Sequence, residues 1–583
     1  MHVRAARFAS AGLLALFALL ALPAAYAGGG LHPVHARHGM VASVHTLASQ
    51  AGVEIMQAGG NAVDAAVATG FALAVVDPKA GNIGGGGFML IRMHDGSTHF
   101  IDFREEAPGE ARANMYQDAR GQLIAHLSRI GYLASGVPGS VKGLAYAEQH
   151  FGKLGIARVM QPAIRLARNG YAIGWEDARL MSNDATLAQF PDSRRIFQND
   201  GKGWHQGDIF KQPELARTLE RIAANPDDFY SGQMAREIAA FMQRGGGLIT
   251  ASDLARYEVK DRVPVRGTYR DLEILSAPPP SSGGITLIES LNILEGFNLA
   301  QAGLDSAQSI HLIAEAYRRA FYDRAEFLGD PDFKGAPMLE LTDKRYAAAW
   351  RSSIQPLEAT ANGSLERPAT FPDLLRYAAK HPLAPEANER MQTTHYSVVD
   401  AEGNAVAVTT TLNGYFGSKV TVGPLGFLMN NEMDDFATKV GAPNMFGLIQ
   451  GSANAIAPYK RPLSSMTPTI VLKRGKLWLV LGSPGGPTII TTVANILIGA
   501  EDFGLDIQEA VDAPRFHEQW MPDRIFMEVN RFSPDTVRLL GERGYKILFR
   551  EGGDGECIEV DPRSGERLGA SDFRNEMGAA IGY

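Results

Sequence analysis

A chain of 583 residues is long enough to bury an extensive core, and a formal charge of −8 with no long basic run argues against a nucleic-acid partner. Its single cysteine, Cys557, excludes both an intramolecular disulfide and a cysteine-built metal cage, so stability has to come from packing.

The first 27 residues read as a secretory signal: Arg4 and Arg7, an apolar run over 11–22, Pro23, then the small-residue triplet Ala25-Tyr26-Ala27 with cleavage expected after Ala27. The apolar run is shorter than the roughly 20 residues a helix needs to span a bilayer. The expectation is a secreted, periplasmic protein with no membrane contact after cleavage. His32, His35 and His38 have metal-like spacing, but they sit at the frayed start of the mature chain, where an ordered supporting shell is hard to build, and no metal is expected.

A helical pattern over 45–57 stops at Gly59-Gly60 and restarts at Asn61, with Asp64 three residues on. This capping-box arrangement opens an Ala/Val-rich helix reaching Val76, whose small side chains suit close packing on a sheet. Gly84 to Gly87 lead into a strand. They lack the Gly-Lys-Ser/Thr ending of a phosphate loop and open no helix, which argues against nucleotide binding. A strand over 99–103 ends at Arg104, whose guanidinium can clamp a carboxylate bidentately or pair with Glu105 or Glu106. From about 140 to 350 helical periodicity dominates, and no chemistry there stands out. Between Arg367 and Gln392 the chain is polar and broken by Pro368, Pro372, Pro382 and Pro385, the composition of an exposed, poorly structured segment. The character then changes to strands over 394–399, 405–412, 427–431, 469–473 and 476–481, followed by a helix from Pro487, a pattern that suits a layered α/β architecture.

The chemistry concentrates in this last third. If Asp400 pairs with Asn404 across a turn that has Gly403 in its left-handed position, Thr393 falls opposite Thr411 on one face, about 5 Å apart. A one-residue slip would put them on opposite faces. A threonine hydroxyl needs an adjacent base to act as a nucleophile. If Thr393 becomes a chain terminus, its own α-amine, with a reference pKa of about 7.7–8.0, supplies one. Left uncut, it is an ordinary β-branched strand residue. No Gly-x-Ser-x-Gly elbow and no His-Glu-x-x-His motif competes with it. The amides of Gly485 and Gly486 lie just before the helix at Pro487, where they can stabilise an oxyanion or simply make a turn. Ser464 and Ser465 present paired hydroxyls before a strand, or form a turn. The amides and carboxylates over 430–436 suit a cationic ammonium or a solvated turn.

Together, the stretches QTTHYSVVD, TLNGYFGS, NNEMDDF, KRPLSSMTPT, GSPGG, IDFREEAP and AGGNAVDAAVA, spread through nearly the whole chain, resemble the γ-glutamyltranspeptidase family. The resemblance implies the four-layer αββα sandwich of the N-terminal-nucleophile hydrolases. It also implies one proenzyme that cuts itself before Thr393 into a large subunit, 28–392, and a small subunit, 393–583. By resemblance, Thr393 is the nucleophile of both processing and catalysis, and Thr411 hydrogen-bonds it. Arg104, Ser464 and Ser465 hold the substrate α-carboxylate; Asn413, Glu432 and Asp435 hold the α-ammonium; Gly485 and Gly486 form the oxyanion hole. The implied reaction moves the γ-glutamyl group of glutathione or another γ-glutamyl amide onto Thr393 as an ester, and then to water or to an acceptor amino acid or dipeptide, without cofactor or metal. In bacterial relatives a lid covers the site, here over 437–459, and Phe446 stands where some relatives place a gating tyrosine. A second reading keeps the Thr393 machinery but directs it at a glutaryl-type side chain. Glu432 and Asp435 count against it, since a substrate without an ammonium leaves buried carboxylates unpaired at about 1–3 kcal/mol or more. A third reading is a secreted binding protein with an uncut chain.

Overall fold

Two seven-stranded antiparallel sheets stack face to face in the computed structural model, which describes residues 32–368 and 393–583. The signal segment and most of the proline-broken stretch lie outside the described residues. In chain order the sheet strands are β1 Val34–Ala36, β2 Met40–Ser43, β3 Gly86–Arg92, β4 Thr98–Phe103, β5 Lys260–Arg262, β6 Val265–Tyr269 and β7 Leu272–Ser276. They continue after Thr393 as β8 Thr394–Val399, β9 Ala405–Thr411, β10 Thr469–Lys473, β11 Lys476–Leu481, β12 Glu556–Val560, β13 Arg567–Ser571 and β14 Ala579–Gly582. One sheet runs β14-β2-β8-β9-β3-β4-β5 and the other β1-β13-β12-β11-β10-β7-β6.

The layering follows from the period-two alternation of the strands. Along β8, Tyr396 and Val398 join the helical core on the outer face, whereas Val399 joins the inter-sheet core with Phe88, Leu90, Ile470 and Val480. Ser397, also turned inward, donates to the Glu556 carbonyl of the opposite sheet at 2.8 Å. Helices cover both outer faces. α1 Thr46–Gln57, α2 Ala62–Val76 and α3 Ser140–Phe151 lie over the first sheet. α4 Gly283–Leu294, α5 Ala307–Phe327 and α6 Thr488–Asp502 form the layer over the second. The stack is the expected αββα sandwich.

The capping box that opens α2 is present, with Asn61 accepting from Val63 and Asp64 and the Asp64 carboxylate accepting from the Asn61 amide. α2 is buried on every side, and its small residues allow the close approach expected from sequence: a Cβ added at Gly70 would stand 2.5 Å from the Tyr396 hydroxyl of β8. The glycine loop before β3 is a backbone contact too. A Cβ at Gly84 or Gly85 would meet the Leu428 or Thr411 carbonyl at 2.0 Å.

Two strands are shorter than the sequence pattern suggests. The one expected over 427–431 spans only Phe427–Leu428, because side-chain amides take over its ladder. Asn430 donates to the Gly84 and Gly136 carbonyls at 2.9 Å, and Asn431 accepts from the Gly414 amide. The one expected over 405–412 ends at Thr411. Cys557 is buried in β12, where burial pushes its thiol up to about 12, so it is inert.

Candidate active site

The hairpin register decides where Thr393 lies. Thr394 pairs with Thr410 and Val399 with Ala405, so the next step outward sets Thr393 opposite Thr411, as the turn at Asp400 to Asn404 requires. That turn closes through the Asp400 amide donating to the Asn404 carbonyl at 3.1 Å, with Gly403 at φ +87°. Thr393 is 6% exposed. The Thr411 hydroxyl oxygen accepts from the Asn413 amide at 2.7 Å, which fixes its rotamer, and Asn413 itself sits at φ +76°, donating to the Asn431 carbonyl.

His395, two residues from Thr393 in sequence, is not poised as a base. Burial drives its pKa down to about 3, and its ring nitrogens are engaged with Thr409 and Ser397. No described histidine lines the two cavities that meet at Thr393. No histidine there competes with the base expected from the sequence, a freed α-amine on Thr393.

Across from Thr393, β11 runs into Gly482 to Pro487, and α6 begins at Thr488 with Pro487 as its N-cap rather than as its first helical residue. Gly485 at φ +130° and Gly486 at φ +57° adopt backbone that side chains disfavour. The Thr488 hydroxyl donates to the Gly485 carbonyl at 2.7 Å, fixing the turn at the positive end of a 15-residue helix.

Nine of the ten residues singled out from sequence, Arg104, Thr393, Thr411, Asn413, Glu432, Asp435, Ser464, Ser465 and Gly486, line one pocket together with Phe446. The tenth, Gly485, lines a larger cavity of about 460 Å³ that also reaches Thr393. Thr393 thus stands where the two cavities meet. Of the pairings left open for Arg104, the one with Glu105 forms, at 3.7 Å and buried rather than on the surface, whereas Glu106 goes to Arg461. Arg104 is buried. It donates through Nη1 to Glu432, through Nη2 to Asp435 at 2.5 Å and through Nε to the Pro462 carbonyl at 3.1 Å. Burial holds the Glu432 and Asp435 carboxyls above their usual range against the pull of Arg104, and lifts Glu105 to about 7. Asp434, in the same stretch, turns away to accept from Ser128 and the Met445 amide. Phe446 is tied by its backbone, its amide donating to Asn444 Oδ1 at 3.0 Å and its carbonyl accepting from Gln519 at 3.3 Å.

One charged residue of this pocket escaped the sequence reading. Arg324, from the helical region in which no chemistry stood out, reaches in from α5 and donates to Ser465 at 3.0 Å. The available signal was an arginine on a helix face that has to be buried throughout. On its own that pattern does not separate Arg324 from Arg318 and Arg319, which have carboxylate partners within the chain.

An αββα stack that puts a threonine at the head of a central strand, next to paired backbone amides, defines the class of N-terminal-nucleophile hydrolases. Comparison with known proteins narrows this. The family model described as Gamma-glutamyltranspeptidase matches residues 48–582. A glutathione hydrolase proenzyme of Escherichia coli strain K12 is 48% identical over 557 residues, covering 95% of this chain and 93% of its own. Among solved structures, cephalosporin acylase from Bacillus halodurans has a TM-score of 0.79 at 27% identity, covering 94% of this chain and 97% of its own. A gamma-glutamyltranspeptidase chain from Helicobacter pylori has a TM-score of 0.55 at 43% identity, covering 55% of this chain and 93% of its own. The chain belongs to the gamma-glutamyltranspeptidase family and is an enzyme of that type.

Proposed function

We propose that this is a secreted γ-glutamyltransferase and glutathione hydrolase that severs its own Gln392–Thr393 bond and then uses Thr393 on γ-glutamyl amides. The observation that carries the reading is the pairing, in one pocket beside Thr393, of guanidinium groups and serine hydroxyls with the carboxylates of Glu432 and Asp435. That is the complement of an α-amino acid zwitterion, and on this reading the γ-carbonyl of the bound donor is directed at Thr393.

In the mature enzyme the Thr393 hydroxyl passes its proton to its own α-amine as Oγ attacks the γ-carbonyl. The amides of Gly485 and Gly486 stabilise the oxyanion, a donor of this kind contributing about 2.7–4 kcal/mol. The C–N bond breaks, the leaving amine takes the proton, and a Thr393 ester remains. Water or an acceptor amine, entering through the 460 Å³ cavity, then attacks the ester and restores the hydroxyl.

The resemblance in fold to a cephalosporin acylase keeps a second reading alive, a glutaryl-type amidase. Two measurements decide. N-terminal sequencing of the smaller fragment is expected to begin at Thr393, with fragments of about 365 and 191 residues on a denaturing gel. Hydrolysis of a γ-glutamyl anilide is expected to exceed that of its glutaryl counterpart. An intact chain in active protein refutes the mechanism, and a preference for the glutaryl anilide reverses the choice of substrate.

A further inference from the structure

Charge guards the edges of the two large sheets at β5 and β6. β5 reads Lys260-Asp261-Arg262, and β6 carries Arg266 among its five residues, which discourages a further strand from pairing there. A smaller sheet departs from this. Its strands Phe516–His517, Ile525–Glu528 and Ile547–Arg550 lie in that order, the last two parallel, so Ile547–Arg550 is an edge. That edge has three apolar residues in four, with Leu548 37% and Phe549 47% exposed, and among the described residues no strand pairs with its outer side. The Ile525 amide donates to the Lys546 carbonyl at 2.8 Å, which sets the alternation of the parallel ladder. Lys546, Leu548 and Arg550 turn their backbone groups to the neighbouring strand, and Ile547 and Phe549 turn theirs to the open side. The edge leads straight to the reacting centre. Glu551 to Asp554, which follow it directly, line the 460 Å³ cavity that reaches Thr393, and Val529, 46% exposed beside the same strand end, lines it too. Gly553 rests on the turn that carries Gly485, where an added Cβ would stand 3.1 Å from the Pro484 carbonyl.

Resting on the γ-glutamyl reading above, the geometry points to this edge as a docking strand for peptide acceptors. An extended peptide adds as a strand antiparallel to Ile547–Arg550, paired through the outward backbone groups of Ile547 and Phe549, and its N-terminal amine enters the cavity toward the Thr393 ester. Charge sets the direction. At the cavity end Glu528 is taken by Arg574, whereas Glu551 and Asp554 form no ion pair among the described residues, so that end suits a cationic N-terminus and repels a C-terminal carboxylate. The neutral amine then bonds the γ-carbonyl carbon, the ester C–O bond breaks, and the proton lost by the amine returns to the Thr393 oxygen. Continuity decides between occupants: Val529 and the residues that extend the edge are themselves cavity wall, which serves a substrate that has to reach Thr393 and serves no purpose for a second copy of the chain.

The test compares acceptors of different length on the processed enzyme, with γ-glutamyl p-nitroanilide as donor. Acceptor kcat/KM is measured for glycylglycine, for the pentapeptide amide Gly-Val-Thr-Val-Thr, and for the same pentapeptide N-methylated at alternate residues. The plain pentapeptide is expected to exceed glycylglycine by about tenfold, the yield of two or so backbone hydrogen bonds, and N-methylation should cancel the gain. Phe549→Pro removes an amide that faces the open side, so it breaks no ladder bond and should erase the pentapeptide advantage while leaving hydrolysis and glycylglycine transfer unchanged. Phe549→Lys, which places a guarding charge on the edge, should do the same and carries the comparison alone if the proline variant fails to fold. Binding of the pentapeptide, labelled at its C-terminus and followed by fluorescence anisotropy, should weaken in parallel in both variants. A pentapeptide no better than glycylglycine, or an advantage that survives both substitutions, overturns the proposal. So does a wild type whose dimer on size exclusion is lost in Phe549→Lys with no change in acceptor preference, since the edge then belongs to a second copy. A wild type that binds the peptide at this edge but releases no p-nitroaniline refutes the γ-glutamyl reading and leaves the docking strand standing.

Discussion

On the proposed mechanism Thr393 must be rigid enough to aim and yet become a chain end, and the residues around it divide that work. The Thr411 hydroxyl oxygen satisfies the buried Asn413 amide and shapes the turn that brings Asn413 to the pocket. Thr411→Val should strand that amide at about 1–3 kcal/mol and slow self-cleavage, which a time course of fragment appearance on a gel would reveal. The pocket carboxylates set a pH dependence whose sign follows from their shift. Burial raises Glu432 and Asp435, with Glu105 at about 7, so as pH falls through these raised values the carboxylates protonate and their attraction for a substrate ammonium is lost. KM for a γ-glutamyl anilide should therefore rise on acidification with a midpoint above the ordinary carboxylate range, while KM for the glutaryl anilide stays flatter. On the proposed mechanism the acid limb of kcat should separately report the Thr393 amine in the enzyme–substrate complex. These residue types were legible in the sequence because their chemistry is local. Arg324 was not, because a buried arginine reads alike whether its partners are carboxylates, as for Arg319, or serine hydroxyls at a pocket.

At the scale of elements, the site is a meeting of loops whose separation is set by glycine. Gly85 packs against the end of β9, where a Cβ would stand 2.0 Å from the Thr411 carbonyl, and no flexible side chain can yield. Gly85→Ala should cost about 1–3 kcal/mol or more of stability and impair processing by displacing Thr411, measured as a lowered Tm together with uncut precursor. The hairpin carrying Thr393 is legible in its residues alone, because a five-residue turn with one left-handed glycine fixes pairing and strand alternation does the rest. The stretch over 427–431 reads as a longer strand than it forms, because the replacement of ladder bonds by Asn430 and Asn431 depends on carbonyls at Gly84 and Gly136 that lie about three hundred residues away in sequence.

Over the whole molecule, strands on either side of the proposed cut are woven through both sheets. β8 and β9 lie between β2 and β3, β14 pairs with the far edge of β2, and β10 joins β7 in the other sheet. The two fragments cannot part without tearing both ladders, so they should co-elute on size exclusion after cleavage and unfold in one transition, and separation under native conditions would contradict the interleaved order. By itself the sequence determined the capping box at Asn61, the strand alternation, the register that sets Thr393 opposite Thr411 and the glycine turn that fixes it, all consequences of short-range backbone geometry. Only the tertiary structure decided that two guanidiniums and two carboxylates share one pocket, because that depends on α5, the end of β4 and the 432–435 turn converging in one buried space.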